Sequence, residues 1–255
     1  LSGGEPKLWC VLPAAGSGSR FGAEKPKQYM LLGDKPLIVV TLECLLSHPA
    51  VTGVIVALAA DDRWWPGLRE IFGKPVLTVT GGATRAESVL AAVRGLPPEV
   101  AGDAWIAVHD AARPGIRHTE LDRLFSFCFS SGLPAILALP VSDTIKRANG
   151  HAQIVGTIDR ENLWRAQTPQ CAPRAMLQSA LEAALERLDR GEVTAATDEA
   201  KALEEFGISV CLIEGHESNF KVTTASDLDL ARFWLAHAHT GQAASPERGL
   251  IRDSE

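Results

Sequence analysis

What this sequence lacks narrows its reading before any motif is considered. None of its five cysteines (Cys10, Cys44, Cys128, Cys171 and Cys211) stands in a Cys-x-x-Cys pair. Four lie in apolar runs, so they read as reduced core residues of a cytosolic protein, not as metal or redox ligands. No apolar stretch approaches the roughly 18 to 20 residues that span a bilayer, and the amino terminus has no basic-then-apolar leader. A cytoplasmic protein without a membrane partner is therefore expected. Positive charge is in deficit, with a formal net charge of -6. That leaves no broad basic face for nucleic acid, and any phosphate contact must be local. Internal repeats are absent too.

What remains is ordinary globular material: 46% hydrophobic and 22% charged residues in a chain of 255, enough for one α/β domain with a substantial core. A single domain is expected over residues 8–239, with a polar, disordered tail over 240–255. Short β-branched or apolar runs alternate with longer stretches of helical period, the pattern of a mostly parallel sheet flanked by helices. Strands are expected at Leu8 to Leu12, Val54 to Ala59, Leu77 to Val79, Trp105 to His109, Ala135 to Leu139 and Ser209 to Ile213. Helices are expected at Pro36 to Leu46, Trp65 to Phe72, Arg85 to Arg94, Glu120 to Ser131, Arg174 to Arg190, Asp198 to Phe206 and Asp227 to Ala238. Thr119 and Ser226 look like helix caps. Between residues 142 and 164 the alternation gives way to a polar segment centred on Asn149-Gly150. It reads as a protruding β-hairpin arm with a tight turn. An isolated hairpin is marginal in water, so a second subunit is the expected partner.

Directly after the first strand come Ala14, Ala15, Gly16, Gly18, Arg20 and Gly22, followed by Lys25 and Lys27. Small residues let the backbone approach a ligand, and successive N–H groups cradle phosphate oxygens. The loop is not a Walker A motif, and with Phe21 at the last position it fails the dinucleotide fingerprint. A lone Gly-x-Gly reads as a packing turn. Arg20, Lys25 and Lys27 tip the balance toward phosphate binding, because ligands of open α/β sheets gather at the carboxyl ends of strands.

Other strand ends carry chemistry as well. Gly81-Gly82-Ala83-Thr84-Arg85 precedes Ser88, one helical turn from Arg85. His109-Asp110-Ala111-Ala112-Arg113 offers a carboxylate suited to a divalent metal, with an arginine nearby. Asp110 read alone is equally a turn residue, and His109 reads as a structural histidine.

Taken together, Pro13-Ala14-Ala15-Gly16-x-Gly18-x-Arg20, Pro26-Lys27-Gln28-Tyr29, Gly81-Gly82, His109-Asp110-Ala111-Ala112-Arg113-Pro114, Thr168-Pro169-Gln170, Thr197-Asp198-Glu199 and Asn219-x-Lys221-Val222-Thr223 closely resemble the 2-C-methyl-D-erythritol 4-phosphate cytidylyltransferase family. The resemblance implies a Rossmann-like α/β domain, a homodimer joined through the arm, and Mg²⁺-dependent transfer of CMP from CTP to 2-C-methyl-D-erythritol 4-phosphate. It further implies that Arg20, Lys27, Arg160 and Lys221 are catalytic. Lys221 and Arg160 would position the acceptor phosphate, Arg160 from the neighbouring subunit. Ala14, Ala15, Gly16, Gly18, Gly82, Ala83, Arg85 and Ser88 would bind the nucleotide. Asp110, Arg113, Thr144, Thr168, Thr197 and Thr223 would line the acceptor side, with Asp110 holding the metal. A cytidylyltransferase for another polyol phosphate, such as ribitol 5-phosphate, and a noncatalytic nucleotide sensor are the alternatives. Gly82-Ala83 departs from the family in lacking an acidic residue beside the glycines, as does Thr224-Ala225-Ser226 in replacing the common Arg-Pro-Glu.

Overall fold

The computed structural model describes residues 6–16, 25–193 and 195–237. In chain order these form β1 (Leu8–Pro13), β2 (Leu31–Leu32), β3 (Lys35–Pro36), α1 (Leu37–Leu46), β4 (Val51–Leu58), β5 (Glu70–Ile71), β6 (Lys74–Thr80) and α2 (Arg85–Arg94). There follow β7 (Trp105–Val108), α3 (His118–Ser131), β8 (Ala135–Pro140), β9 (Ile145–Ala148), β10 (Ile154–Ile158), β11 (Trp164–Pro173), α4 (Arg174–Asp189), α5 (Glu199–Glu205), β12 (Cys211–Glu214) and α6 (Ala225–His237). Eight strands make one sheet in the order β12-β8-β11-β7-β1-β4-β6-β5. Its pairs are parallel except where β11 runs against β7 and β8, and where β5 runs against β6. The expected α/β sheet flanked by helices is therefore present.

Both faces of the central strands are covered, which is why β1 reads as an unbroken apolar run. Leu8, Cys10 and Leu12 face the side of α1 and α3, among Leu42, Leu45, Leu121, Leu124 and Phe125. Trp9 and Val11 face α2, α4 and α5, among Val89, Val93, Leu177, Leu181 and Leu203. All five cysteines are free. Burial pushes the Cys10 thiol up to about 12 and the Cys44 thiol to about 11, so neither is a reactive thiolate. No helix among the described residues is long and apolar enough to cross a membrane.

Four local expectations are corrected. Trp65 to Phe72 is not a helix: it is a loop that ends in β5. Pro66-Gly67 interrupts it with a positive φ at Gly67, and Asp62 Oδ1 accepts the Trp64 and Trp65 N–H groups at 2.9 and 3.0 Å. Side-chain capture of the backbone in this way competes with helix formation. The Asn149-Gly150 turn is longer than a two-residue hairpin loop. Asn149 Oδ1 accepts N–H groups from His151 and Gln153, and the left-handed residue is Ala152, at φ 58. The caps also move. Glu120 Oε2 accepts the Arg117 N–H at 3.1 Å, starting α3 at His118 and not after Thr119. Thr224, not Ser226, exchanges hydrogen bonds with Asp227 at the start of α6. Finally, β11 is a strand that the sequence pattern does not predict. The arm is present as the β9–β10 pair. The 240–255 tail, with Gly18 and Arg20, lies outside the described residues.

Candidate active site

β1, β6 and β7 end on one side of the sheet, and the segments leaving them close a cavity of about 460 Å³. Ala14, Ala15 and Gly16 form one wall, and Gly82, Ala83, Arg85 and Ser88 the facing one. Lys27, Asp110, Lys221 and Thr223 complete it. The glycines are sterically required: a Cβ on Gly81 would lie 2.7 Å from Ala15 Cβ, and one on Gly82 2.3 Å from Glu87 Cβ. The turn is fixed by Ser88, whose hydroxyl donates to Thr84 O at 2.9 Å and accepts the Gly82 N–H at 3.2 Å. Thr84 and Glu87 close a reciprocal cap on α2, leaving its first N–H groups and positive end beside the cavity. Gln28, which sequence reasoning left without a role, is buried and donates to Ala14 O at 2.8 Å. It joins the loop after β1 to the short 3-10 helix Lys27–Tyr29 that carries Lys27.

A second cleft of about 170 Å³ adjoins the first. Arg113, Gln167, Thr168, Gln170, Thr197 and Asp198 line it, and it shares Arg85, Asp110 and Lys221 with the larger one. Asp110 is the centre of this partition. Its Oδ1 accepts from Arg85 Nη2 at 3.2 Å, and its Oδ2 meets Arg113 Nε at 3.2 Å and Lys221 Nζ at 3.0 Å. Burial alone would raise its pKa, but Arg85, Lys221 and Arg113 outweigh that and hold the carboxyl well below the usual carboxylate range.

Backbone contacts bring the distant segments together. Val222 N–H donates to Ala112 O at 2.8 Å, which seats Lys221 beside Asp110. Arg113 Nη1 donates to Asn219 O at 2.7 Å, and Asn219 Nδ2 donates to Thr168 O at 2.8 Å. His109 is structural, as expected. Burial lowers its pKa to about 4, so the ring is neutral. Its Nε2 donates to Arg113 O at 3.0 Å, and Nδ1 accepts from the Thr168 hydroxyl at 2.9 Å. That hydroxyl in turn accepts the Asp110 N–H at 3.1 Å. His109 and Thr168 thus set the turn that aims Asp110.

Of the site residues expected from sequence, Ala14, Ala15, Gly16, Lys27, Gly82, Ala83, Arg85, Ser88, Asp110, Lys221 and Thr223 meet in the larger cavity. Arg113, Thr168 and Thr197 line the smaller. Three hydroxyls are already engaged: Ser88 within the turn, Thr168 between His109 and the Asp110 N–H, and Thr223 as a donor to Asp227 Oδ2 at 2.7 Å. Thr144 and Arg160 line neither cleft of their own chain, and Arg160 donates to Ser142 O within the arm. Lys25 sits 5.0 Å from the Trp64 ring centroid, a cation–π contact. Among the described residues no group of three or more His, Cys, Asp or Glu side chains forms a metal cage.

Comparison with known proteins agrees with this geometry. The family model of 2-C-methyl-D-erythritol 4-phosphate cytidylyltransferase matches residues 8–237. A protein of that name from Stenotrophomonas maltophilia R551-3 is 50% identical over 230 residues, covering 90% of this chain and 97% of that protein. One from Xanthomonas campestris pv. campestris strain 8004 is 48% identical over 238 residues, covering 93% and 88%. A crystal structure of a 4-diphosphocytidyl-2C-methyl-D-erythritol synthase superposes with TM-score 0.77 at 33% identity, covering 91% of this chain and 99% of that one. The cytidylyltransferase of Thermus thermophilus gives TM-score 0.69 at 29% identity, covering 89% and 98%. With the glycine loop, the Asp110 partition and the Lys221 segment all falling inside the matched span, this chain belongs to the 2-C-methyl-D-erythritol 4-phosphate cytidylyltransferase family.

Proposed function

We propose that this protein transfers CMP from CTP to 2-C-methyl-D-erythritol 4-phosphate, releasing pyrophosphate and forming 4-diphosphocytidyl-2-C-methyl-D-erythritol. The observation that carries the reading is the shared partition: a backbone-walled cavity and a polar cleft meet at Asp110 and Lys221, with Lys27 on the cavity side. CTP occupies the larger cavity, its base and ribose against the small residues and its triphosphate toward Lys27. The acceptor lies on the side of Arg113, Thr168 and Thr197.

An acceptor phosphate oxygen attacks the α-phosphorus as the bond to pyrophosphate breaks and the leaving group carries away the electron pair. The nucleophile is already an anion, so no strong base is needed, in keeping with a neutral, buried His109. Catalysis rests on positioning and on cations placed where negative charge develops. Lys27 and Lys221 act from the cleft walls, and the same role is assigned to Arg20, which lies outside the described residues.

Mg²⁺, commonly bound by one or two carboxylates plus phosphates, would be held here chiefly by substrate oxygens, with Asp110, the carboxylate shared by both clefts, as its protein ligand in exchange for one of the cations it meets. When bound it would offset charge on the phosphates. Arg160 and Thr144, exposed on and beside the arm, serve the acceptor site of a second subunit in a homodimer. The protein works in the cytoplasm.

The test is a panel of polyol phosphates with CTP, UTP and GTP, scored by pyrophosphate release. 2-C-methyl-D-erythritol 4-phosphate with CTP is expected to give the highest kcat/KM. Preference for ribitol 5-phosphate would reassign the acceptor. Nucleotide binding without pyrophosphate release from any acceptor would make the protein a sensor.

A further inference from the structure

Arg85 stands where the two clefts meet and lines both. As the first residue of α2 it reaches Asp110 Oδ1 on one side. On the other it donates through Nη1 to Glu199 Oε1, 114 positions along the chain. The reaction proposed above has no use for Glu199. Yet its side chain is only 2% exposed, and Oε2 has no hydrogen-bond partner. A buried carboxylate with one oxygen unsatisfied is costly, and its retention calls for a reason.

Starting α5 is not that reason. Asp198 already caps the helix by accepting the Lys201 N–H at 3.1 Å, and Gln170 Oε1 accepts the Ala200 N–H at 2.8 Å. What Glu199 does hold is Arg85. Placed between two carboxylates, the planar guanidinium has its orientation fixed from both ends. Arg85 then occupies Oδ1 of Asp110, leaving Oδ2 to Arg113 and Lys221. Remove Glu199 and Arg85 keeps a single anchor in a partition crowded with cations.

We infer that Glu199 is a positioning residue for the transfer reaction: it anchors Arg85 between the nucleotide and acceptor clefts, and through Arg85 it fixes the Asp110 carboxylate that faces both. The inference rests on the proposed function. It predicts a division of effects that a merely structural residue would not show. Glu199 lines neither cleft and acts only through Arg85, so turnover, which depends on the aim of Asp110, should fall more than nucleotide affinity.

The test uses the full-length protein as wild type, Glu199→Gln, Arg85→Gln, the double variant and Arg85→Lys. Glu199→Gln keeps volume and leaves the α5 cap in place. It is expected to lower kcat about 10- to 100-fold, the usual scale for losing a group that orients a ligand-holding residue, with CTP affinity by calorimetry changed less than about threefold. The double variant is expected to be no worse than Arg85→Gln alone, because both substitutions break one connection. Arg85→Lys, a single point charge in place of the fork, should fall between. Unchanged kcat in Glu199→Gln, or losses that multiply in the double variant, would overturn the inference. Should Glu199→Gln fail to fold, the comparison of Arg85→Lys with wild type decides it, an equal kcat being the overturning result. If wild type itself releases no pyrophosphate, the functional reading falls separately. A crystal structure of Glu199→Gln or Arg85→Lys then settles the anchoring, since Asp110 held as in wild type would contradict it.

Discussion

Ala14, Ala15, Gly16, Gly82 and Ala83 wall the larger cavity, whereas Arg113, Gln167, Thr168, Gln170 and Asp198 wall the smaller cleft. The first is a shape made by backbone approach, maintained by the absence of side chains. The second is made by charged and amide side chains from separate segments, each held by another. A shape of the first kind breaks when an atom is added. A network of the second kind breaks when one is removed, and its members fail together because they share Asp110. The difference sorts the substitutions that should be tried.

The largest effect is expected at Lys27, the lysine that lines the larger cavity alone. Lys27→Ala should lower kcat on the order of 10²-fold or more, the scale of losing one electrostatic stabiliser. Steady-state kinetics at saturating CTP checks this, and near-normal turnover would remove Lys27 from the mechanism. Next comes the added atom. Gly82→Ala places a Cβ 2.3 Å from Glu87 Cβ, so the turn must open, at about 1–3 kcal/mol for an overpacked site. The expected result is weaker CTP binding by calorimetry with little change in acceptor KM. An effect on the acceptor side instead would mean that the turn acts through the shared Arg85 and Asp110 and not through the cavity wall.

Arg160→Ala asks whether the smaller cleft is completed from outside its own chain. Acceptor KM should rise about tenfold or more, as for a lost charge-assisted hydrogen bond, with CTP affinity unchanged. Dimers mixed from Arg160→Ala and Lys27→Ala subunits would recover one competent site if Arg160 acts across the interface. No recovery would place it in its own chain.

The smallest effect on turnover is expected at Glu120, behind the smaller cleft, where the change is one of stability. Glu120 is buried, with Oε1 unpartnered, and burial raises its pKa from 4.5 to about 7 against the backbone N–H groups that favour its ionised form. Between those values the folded protein binds more protons than the unfolded chain. This contribution is therefore greatest below 4.5 and is lost as pH rises toward 7. Glu120→Gln should remove that slope, gaining on wild type by on the order of 1–3 kcal/mol between about pH 5 and about pH 8 in chemical denaturation. A parallel pH dependence in the two proteins would show that Glu120 titrates normally.

The two constructions also differ in how well the sequence announces them. Gly16, Gly81 and Gly82 follow apolar strands directly, so small residues at strand ends mark the larger cavity without further help. β1, β4 and β7 are equally plain because burial on both faces leaves continuous apolar runs. β11 hides for the opposite reason. Gln167, Thr168 and Gln170 are polar yet buried, and the register shifts between Ala166 and Gln170, so no alternation survives to be read. The smaller cleft grows from that strand. Only the resemblance gathers Arg113, Thr168, Thr197 and Lys221, whose convergence depends on the Asn219 and Val222 backbone contacts. Glu199 escapes even so, because an acid at the start of a helix reads as an ordinary complement to its positive end. Gln28 escapes because nothing local distinguishes a tethering amide from a surface one.

The central claim is that positioning and fixed charge move the cytidylyl group directly between phosphate oxygens. It is tested most directly by a single turnover with CTP labelled at the α-phosphorus, quenched in acid. All label is predicted in the cytidine diphosphate alcohol, none on protein. Label retained by the protein, or released as CMP whether or not acceptor is present, would contradict the account.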